Sequence, residues 1–156
     1  MHLLFVCTGN TCRSPLAEAI ARRLAHDRGL RDVVVSSAGT SAWADAPASD
    51  GSLLVALENG IDLSEHRARS LSPEIVATSD LILTMGPHHL DRAEALGGTR
   101  RSYLLTDFTR GSDGAWAISD PFGGDLDVYR ATFAELSHEI GLALDRIVAD
   151  SSRRPR

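Results

Sequence analysis

"LLFVCTGNTCRSPLAEAI", residues 3–20, is the stretch whose reading decides the fold. Leu3, Leu4, Phe5 and Val6 form an unbroken apolar run. Such a run fits a strand covered on both faces better than one with a wet side. It breaks at Cys7, passes through Thr8, Gly9, Asn10 and Thr11, and gives way at Cys12, Arg13, Ser14 and Pro15 to a helical pattern. Ser14 suits the cap of that helix and Pro15 its first position. Leu16, Ile20 and Leu24 recur at four-residue spacing with Ala17, Ala21 and Ala25 beside them, so one helix face is apolar. Gly29 is placed to end it.

A strand, a glycine-containing loop and a helix N-terminus in succession gather unpaired backbone N–H groups at one point. Gly9 permits conformations closed to other residues, and Asn10 tolerates a left-handed one, so the loop can curl into an anion nest. Arg13 adds a planar fork that matches two oxygens of a phosphate-like group. Cys7 sits where these dipoles converge, and a field that attracts an anion also favours thiolate over thiol. Ser14 is within reach to donate a hydrogen bond to that sulfur. A cysteine ending a buried strand is by itself an ordinary small apolar residue. In company with Gly9, Arg13 and Ser14 it reads as a nucleophile beneath a phosphoryl group. The stretch is no Walker loop, because no Gly-Lys-Ser/Thr follows. The two cysteines and six scattered histidines lack the spacing of a zinc site, and no metal or cofactor is expected.

The 156 residues fit one domain, and 43% hydrophobic with 24% charged residues is ordinary for a globular chain. The net charge of −5 argues against a non-specific nucleic-acid binder. The opening residues lack the basic region of a secretory leader, and no apolar stretch approaches membrane-spanning length. Two cysteines in one turn do not make a disulfide framework. A cytoplasmic setting without nucleic-acid or membrane partners is the expectation.

Further strands are predicted at 33–37, 80–85 and 103–108, and loops at 38–49, 63–74 and 109–125. Leu53, Leu54 and Leu57 mark a helix closed by Asn59 and Gly60. Leu126, Tyr129, Phe133, Leu136, Ile140, Leu144 and Ile147 step by three or four residues along another. Alternating strands and helices predict an α/β fold: a three-layer sandwich, its four-stranded parallel sheet flanked by helices on both faces. Ligands of such sheets bind at the carboxyl ends of the strands, where the Cys7 turn lies. Residues 1–150 form the predicted domain, and 151–156 a disordered tail.

Cys7, five residues, then Arg13-Ser14-Pro15, directly after the first strand, resembles the signature of the low-molecular-weight protein tyrosine phosphatases. The family carries its general acid as Asp-Pro in a loop before the last helix, and "SDPFGGDLDVYR" supplies Asp120 and Pro121 there. Taken alone, Asp-Pro is an ordinary turn. The resemblance implies Cys7 as nucleophile, Arg13 as transition-state clamp and Asp120 as acid and then base. It implies phosphate contacts from the backbone of Thr8, Gly9, Asn10, Thr11 and Cys12. It also makes Asn10, Ser37 and His66 supports of the loop, and Cys12 the partner of a protective disulfide with Cys7. Without the resemblance, Ser37 reads as a strand-end serine, His66 as an exposed loop histidine and Cys12 as a structural thiol. Trp43 reads as a pocket wall or a loop anchor, His88 and His89 as solvated, and Arg67 and Arg69 as surface residues.

Tyrosine-specific members commonly read "GNICRS", where the isoleucine walls the substrate ring. Here the loop reads "GNTCRS", and Thr11 is smaller and polar. Where such members often place two aromatics after Asp-Pro, Phe122 is followed by Gly123 and Gly124. One aromatic face can stack on a guanidinium. Both features resemble the bacterial protein-arginine phosphatases of this family. The implied activity is hydrolysis of phosphoarginine in proteins, with phosphotyrosine as the alternative. Gly86 stands where many tyrosine phosphatases have an acidic residue. A thioredoxin-coupled arsenate reductase needs further cysteines, and none follows Cys12. A non-catalytic phosphoprotein-binding module needs neither Cys7 nor Asp120.

Overall fold

The computed structural model describes residues 1–111 and 114–153. The opening run is β1 (His2–Cys7), with five consecutive residues buried. It lies in the middle of a four-stranded, wholly parallel sheet in the order β2-β1-β3-β4, with β2 Val34–Gly39, β3 Leu81–Thr84 and β4 Ser102–Leu104. A central strand has helices over both faces, which is why it shows no polar alternation. Leu3, Phe5 and Cys7 face one core, and Leu4 and Val6 the other.

The first core is covered by α1 (Arg13–Asp27), α2 (Asp50–Glu58), α5 (Leu105–Arg110) and α6 (Leu126–Arg153). Leu16, Ala17, Ile20 and Ala21 of α1 are buried there, against Leu136, Ile140 and Leu144 of α6. The alanines bring α1 close to its neighbours at no cost in side-chain entropy. Gly51 of α2 is needed for packing: a Cβ there would lie 2.4 Å from the Tyr129 ring. The second core is covered by α3 (Pro73–Ala77) and α4 (Pro87–Ala93), through Val76 and Ala93. The predicted three-layer α/β architecture is therefore the observed one. No helix among the described residues is long and apolar enough to cross a membrane.

Several local expectations need correction. The strand predicted at 103–108 ends at Leu104, and Leu105–Arg110 is helical. Leu105 and Phe108, three residues apart, are both buried, so the same apolar letters serve a helix period. α4 lies in a stretch with no predicted element, and α3 starts where only loop was expected. For α3 the signal is present: the Ser72 hydroxyl accepts from the Ile75 N–H at 3.2 Å and Pro73 follows the cap. Ser14 is not a cap. The helix starts two residues earlier, at Arg13 after Cys12, without a side-chain cap bond. At the other end, α6 continues through Arg153, the third residue of the expected tail, and 154–156 lie outside the described residues.

Within the buried stripe of α6 stands one carboxylate. Glu139 is 1% exposed and takes the Nε and NH2 edge of the Arg110 guanidinium with both oxygens, at 2.9 and 2.7 Å, and the Thr109 hydroxyl at 3.0 Å. The Arg110 bond holds its carboxyl below the usual carboxylate range, against the opposing effect of burial. Arg110 also stacks on Trp116, 4.8 Å from the ring centroid, so the pair ties α6 to the segment after α5. Removing the charge leaves the arginine with a neutral partner. Glu139→Gln is expected to lose about 1.5–3 kcal/mol of stability in urea unfolding at neutral pH. Because the folded carboxyl titrates below its unfolded value of 4.5, the gap to wild type should narrow as pH falls below that value. A gap unchanged at low pH would show that the ion pair does not stabilise the fold.

Candidate active site

The loop after β1 is shaped by bonds that turn its carbonyls outward. Cys7 O accepts from Thr40 N at 3.0 Å, Thr8 O from Ser41 N at 2.9 Å and Thr11 O from Ser49 N at 2.9 Å. Cys12 O accepts from the Ser52 hydroxyl at 3.3 Å, and Asn10 O from His66 Nε2 at 2.7 Å. In a planar trans peptide the following N–H points opposite its carbonyl. The amides of Thr8, Gly9, Thr11, Cys12 and Arg13 therefore turn toward the cleft. Gly39, paired with Cys7 across the sheet, has a further reason to be glycine: a Cβ would lie 2.4 Å from Thr8 O and 2.9 Å from Asn10 N.

Asn10 is the pin of this loop. It is fully buried with φ of 56°, the left-handed conformation that asparagine tolerates. Its Nδ2 donates to Ser14 Oγ at 2.8 Å and to Ser37 Oγ at 2.9 Å, while its Oδ1 accepts from Arg69 N at 3.0 Å. The direction of the chain follows from its far end. The Ser37 hydroxyl donates to Glu18 Oε1 at 2.8 Å, and Glu18 is held by Arg22 at 2.8 Å. Ser37 thus has lone pairs left for Asn10. Ser14 Oγ, already accepting, has its proton left for Cys7 Sγ, 2.8 Å away. Such a bond stabilises a negative sulfur.

The cleft above the loop holds about 220 Å³ and is lined by Cys7, Thr8, Gly9, Thr11, Cys12, Arg13, Asp120 and Phe122. Arg13 is buried and its NH1 donates to Ile118 O at 2.9 Å. Its NH2 lies 3.6 Å from Asp120 Oδ2, and among the described residues its buried Nε has no hydrogen-bond partner. Nε and NH2 share one edge of the guanidinium, so one edge anchors the residue and the other is left to take a pair of oxygens. Asp120 is half exposed, with Oδ1 accepting from Phe122 N at 3.1 Å. Its loop is fastened below: Ile118 N donates to Met85 O at 2.8 Å, and Trp116 N to the Thr106 hydroxyl at 2.7 Å. Pro121 O and Gly124 N close a turn at 2.8 Å, which leaves Phe122 75% exposed at the rim.

The structure brings every sequence-predicted site residue to this loop or its supports. Cys12 and Cys7 are both free thiols, and Cys12 Sγ lies 3.2 Å from Ser49 Oγ and 3.5 Å from the Tyr129 hydroxyl. Trp43 stands 84% exposed and does not line the cleft. Arg69 is exposed as expected, yet its backbone N–H and its Nε, bonded to Ser37 O at 2.9 Å, hold the loop from behind. His89 corrects its expectation: it is 5% exposed, with Nε2 2.8 Å from Thr8 Oγ1. Sequence reading missed Glu18, Gly39, Ile118 and His89. Glu18 lies one helical turn beyond Ser14, on the face toward Ser37, the one signal that was available. A larger cavity of about 640 Å³ backs onto the supports, with Glu18, Ser37, His66 and Arg69 in its wall, and no cysteine lines it.

The family model described as low molecular weight phosphotyrosine protein phosphatase matches residues 2–153. The protein-arginine-phosphatase of Bacillus subtilis is 38% identical over 138 residues, which cover 87% of this chain and 89% of that protein. The low molecular weight protein-tyrosine-phosphatase PtpB of Staphylococcus haemolyticus is 40% identical over 142 residues, covering 90% and 96%. A solved mutant of the YwlE arginine phosphatase with a phosphorylated active-site serine superposes with a TM-score of 0.89 at 34% identity, covering 96% of this chain and 97% of that one. With a nest of inward amides around a buried thiol and a family match along nearly its whole length, the chain belongs to the low molecular weight phosphotyrosine protein phosphatases and is a cysteine-dependent protein phosphatase.

Proposed function

We propose that the protein hydrolyses phosphoarginine in proteins through a cysteinyl-phosphate intermediate. The observation that carries the chemistry is the divided Arg13 guanidinium: NH1 is fixed to Ile118 O, while the Nε and NH2 edge lies over the same cleft as Cys7. On this reading the phosphoryl group takes that edge and the loop amides. Cys7, negative and hydrogen-bonded by Ser14, attacks phosphorus in line with the departing nitrogen. The S–P bond forms as the P–N bond breaks, and Asp120 gives its proton to the leaving guanidino nitrogen. A water then yields a proton to Asp120 and attacks phosphorus, releasing inorganic phosphate and the thiolate. The half-exposed position of Asp120 at the mouth suits both steps. A phosphorylated active-site serine in one solved relative supports a phosphoryl-enzyme route.

The choice of arginine rests on the wall of the cleft. Thr11 and Phe122 both line it, giving a small polar side and one exposed aromatic face. A guanidinium is flat and polar and stacks on an aromatic ring, and a carboxylate beside it offsets its positive charge. Two relatives with arginine phosphatase in their names favour the same substrate class. Phosphotyrosine is the second reading, favoured by the PtpB relative at 40% identity.

Turnover of phosphoarginine and phosphotyrosine peptides, side by side in chelator, is the deciding assay. Cys7→Ser should cut hydrolysis by about four orders of magnitude while phosphate still binds. Surviving turnover would exclude the covalent route. Asp120→Asn is expected to cost about a hundredfold or more in kcat. Replacing Thr11 by Ile should move the ratio of kcat/KM values toward phosphotyrosine. Equal effects on both peptides would remove Thr11 as the selector.

A further inference from the structure

Behind Thr8 of the cleft lies a buried histidine that the chemistry above does not use. His89 lies in α4, and its Nε2 meets Thr8 Oγ1 at 2.8 Å across 81 residues of sequence. Its Nδ1 is buried and, among the described residues, has no partner. It faces Gly86, where an added Cβ would lie 3.5 Å away. A buried N–H without an acceptor is rarer and costlier than a buried lone pair without a donor. The ring proton therefore belongs on Nε2, which donates to Thr8. Burial first, then the charges of Arg13 and His88, disfavour protonation and put the pKa at about 4, although Asp120 pulls the other way. The imidazole is neutral at pH 7.

Thr8 lines the cleft and is exposed where Cys7 is buried, so the residue stands nearer the mouth than the sulfur does. A hydroxyl that accepts from His89 keeps one proton and one lone pair. With a phosphoryl group seated over Cys7 and the loop amides, a hydroxyl nearer the mouth is left to meet the side chain that bears the phosphoryl group. A guanidinium presents N–H donors there, and a phenyl ring presents none.

We propose that Thr8 is a specificity-determining residue whose hydroxyl accepts a hydrogen bond from the substrate guanidinium, and that His89 is the positioning residue that orients it. The proposal rests on the phosphoarginine reading. It adds to Thr11 a second polar contact, held independently through His89. Gly86 belongs to the same arrangement, since it opens α4 beside the imidazole and its carbonyl accepts from His89 N at 3.1 Å.

The test is kcat/KM on matched phosphoarginine and phosphotyrosine peptides for four proteins besides wild type. Thr8→Val should lower the phosphoarginine-to-phosphotyrosine ratio by about tenfold or more, the loss of a hydrogen bond to a charged group. His89→Leu should lower the same ratio, and the double variant should fall no further than Thr8→Val alone, since both changes remove one contact. His89→Gln, whose amide N–H can reach the Nε2 position, should restore it. Nitrogen NMR of the wild-type imidazole supplies a readout free of folding effects: the neutral Nε2–H form is expected at pH 7. An unchanged ratio in Thr8→Val, additive losses in the double variant, or an Nδ1–H or charged ring would overturn the proposal. A wild type inert toward phosphoarginine overturns the parent reading and this one with it. An active wild type whose ratio ignores Thr8 sinks this one alone.

Discussion

One amide side chain organises the site. Asn10 spends both of its Nδ2 hydrogens on hydroxyls and its Oδ1 on the Arg69 amide, in a left-handed backbone conformation with no exposure to water. Every polar atom is committed, so the loop has one arrangement rather than several. The commitment runs outward to Glu18 and Arg22 and inward to Ser14 and Cys7. A charge on the surface of α1 thereby sets the direction of a hydrogen bond on a buried sulfur.

The second half of the cleft is held by a separate set of bonds. Ile118 joins the carboxyl end of β3 through Met85 and receives Arg13 on its carbonyl. Trp116 is pinned by the Thr106 hydroxyl, by Glu135 on its indole N–H and by the Arg110 guanidinium that Glu139 orients. Asp120 is left at the free end of this strut, half exposed. A floor fixed from β1 and β2 and a carboxylate delivered from the far side of β3 meet across Arg13. The residue proposed to take the anion is thus also the one that joins the two halves.

Much of this was legible in the letters. An unbroken apolar run ending in Cys-x5-Arg-Ser-Pro can hardly be other than a buried strand entering a helix through a nest, because the backbone leaves few ways to do it. Where the reading failed, short range and long range disagreed. Residues 103–108 have strand composition, but helical spacing of Leu105 and Phe108 against α6 decided otherwise. Ser14 has the chemistry of a cap, yet its hydroxyl is worth more between Asn10 and Cys7 than on a helix end. His89 reads as solvated because no local pattern marks it, and its burial depends on where α4 crosses the loop.

The sequence by itself determined the four-stranded parallel sheet, the strand–turn–helix passage at Cys7 and which thiol, arginine and carboxylate to look for. These follow from periodicity, turn chemistry and charge, which act over a few residues. Only the tertiary structure decided which hydroxyls face the sulfur, which edge of Arg13 turns from Ile118 toward Asp120, and that Thr8 is held by a neutral imidazole 81 residues away. Those depend on burial and on contacts between distant segments, where removal from water makes one unpaired polar atom costly enough to fix a geometry.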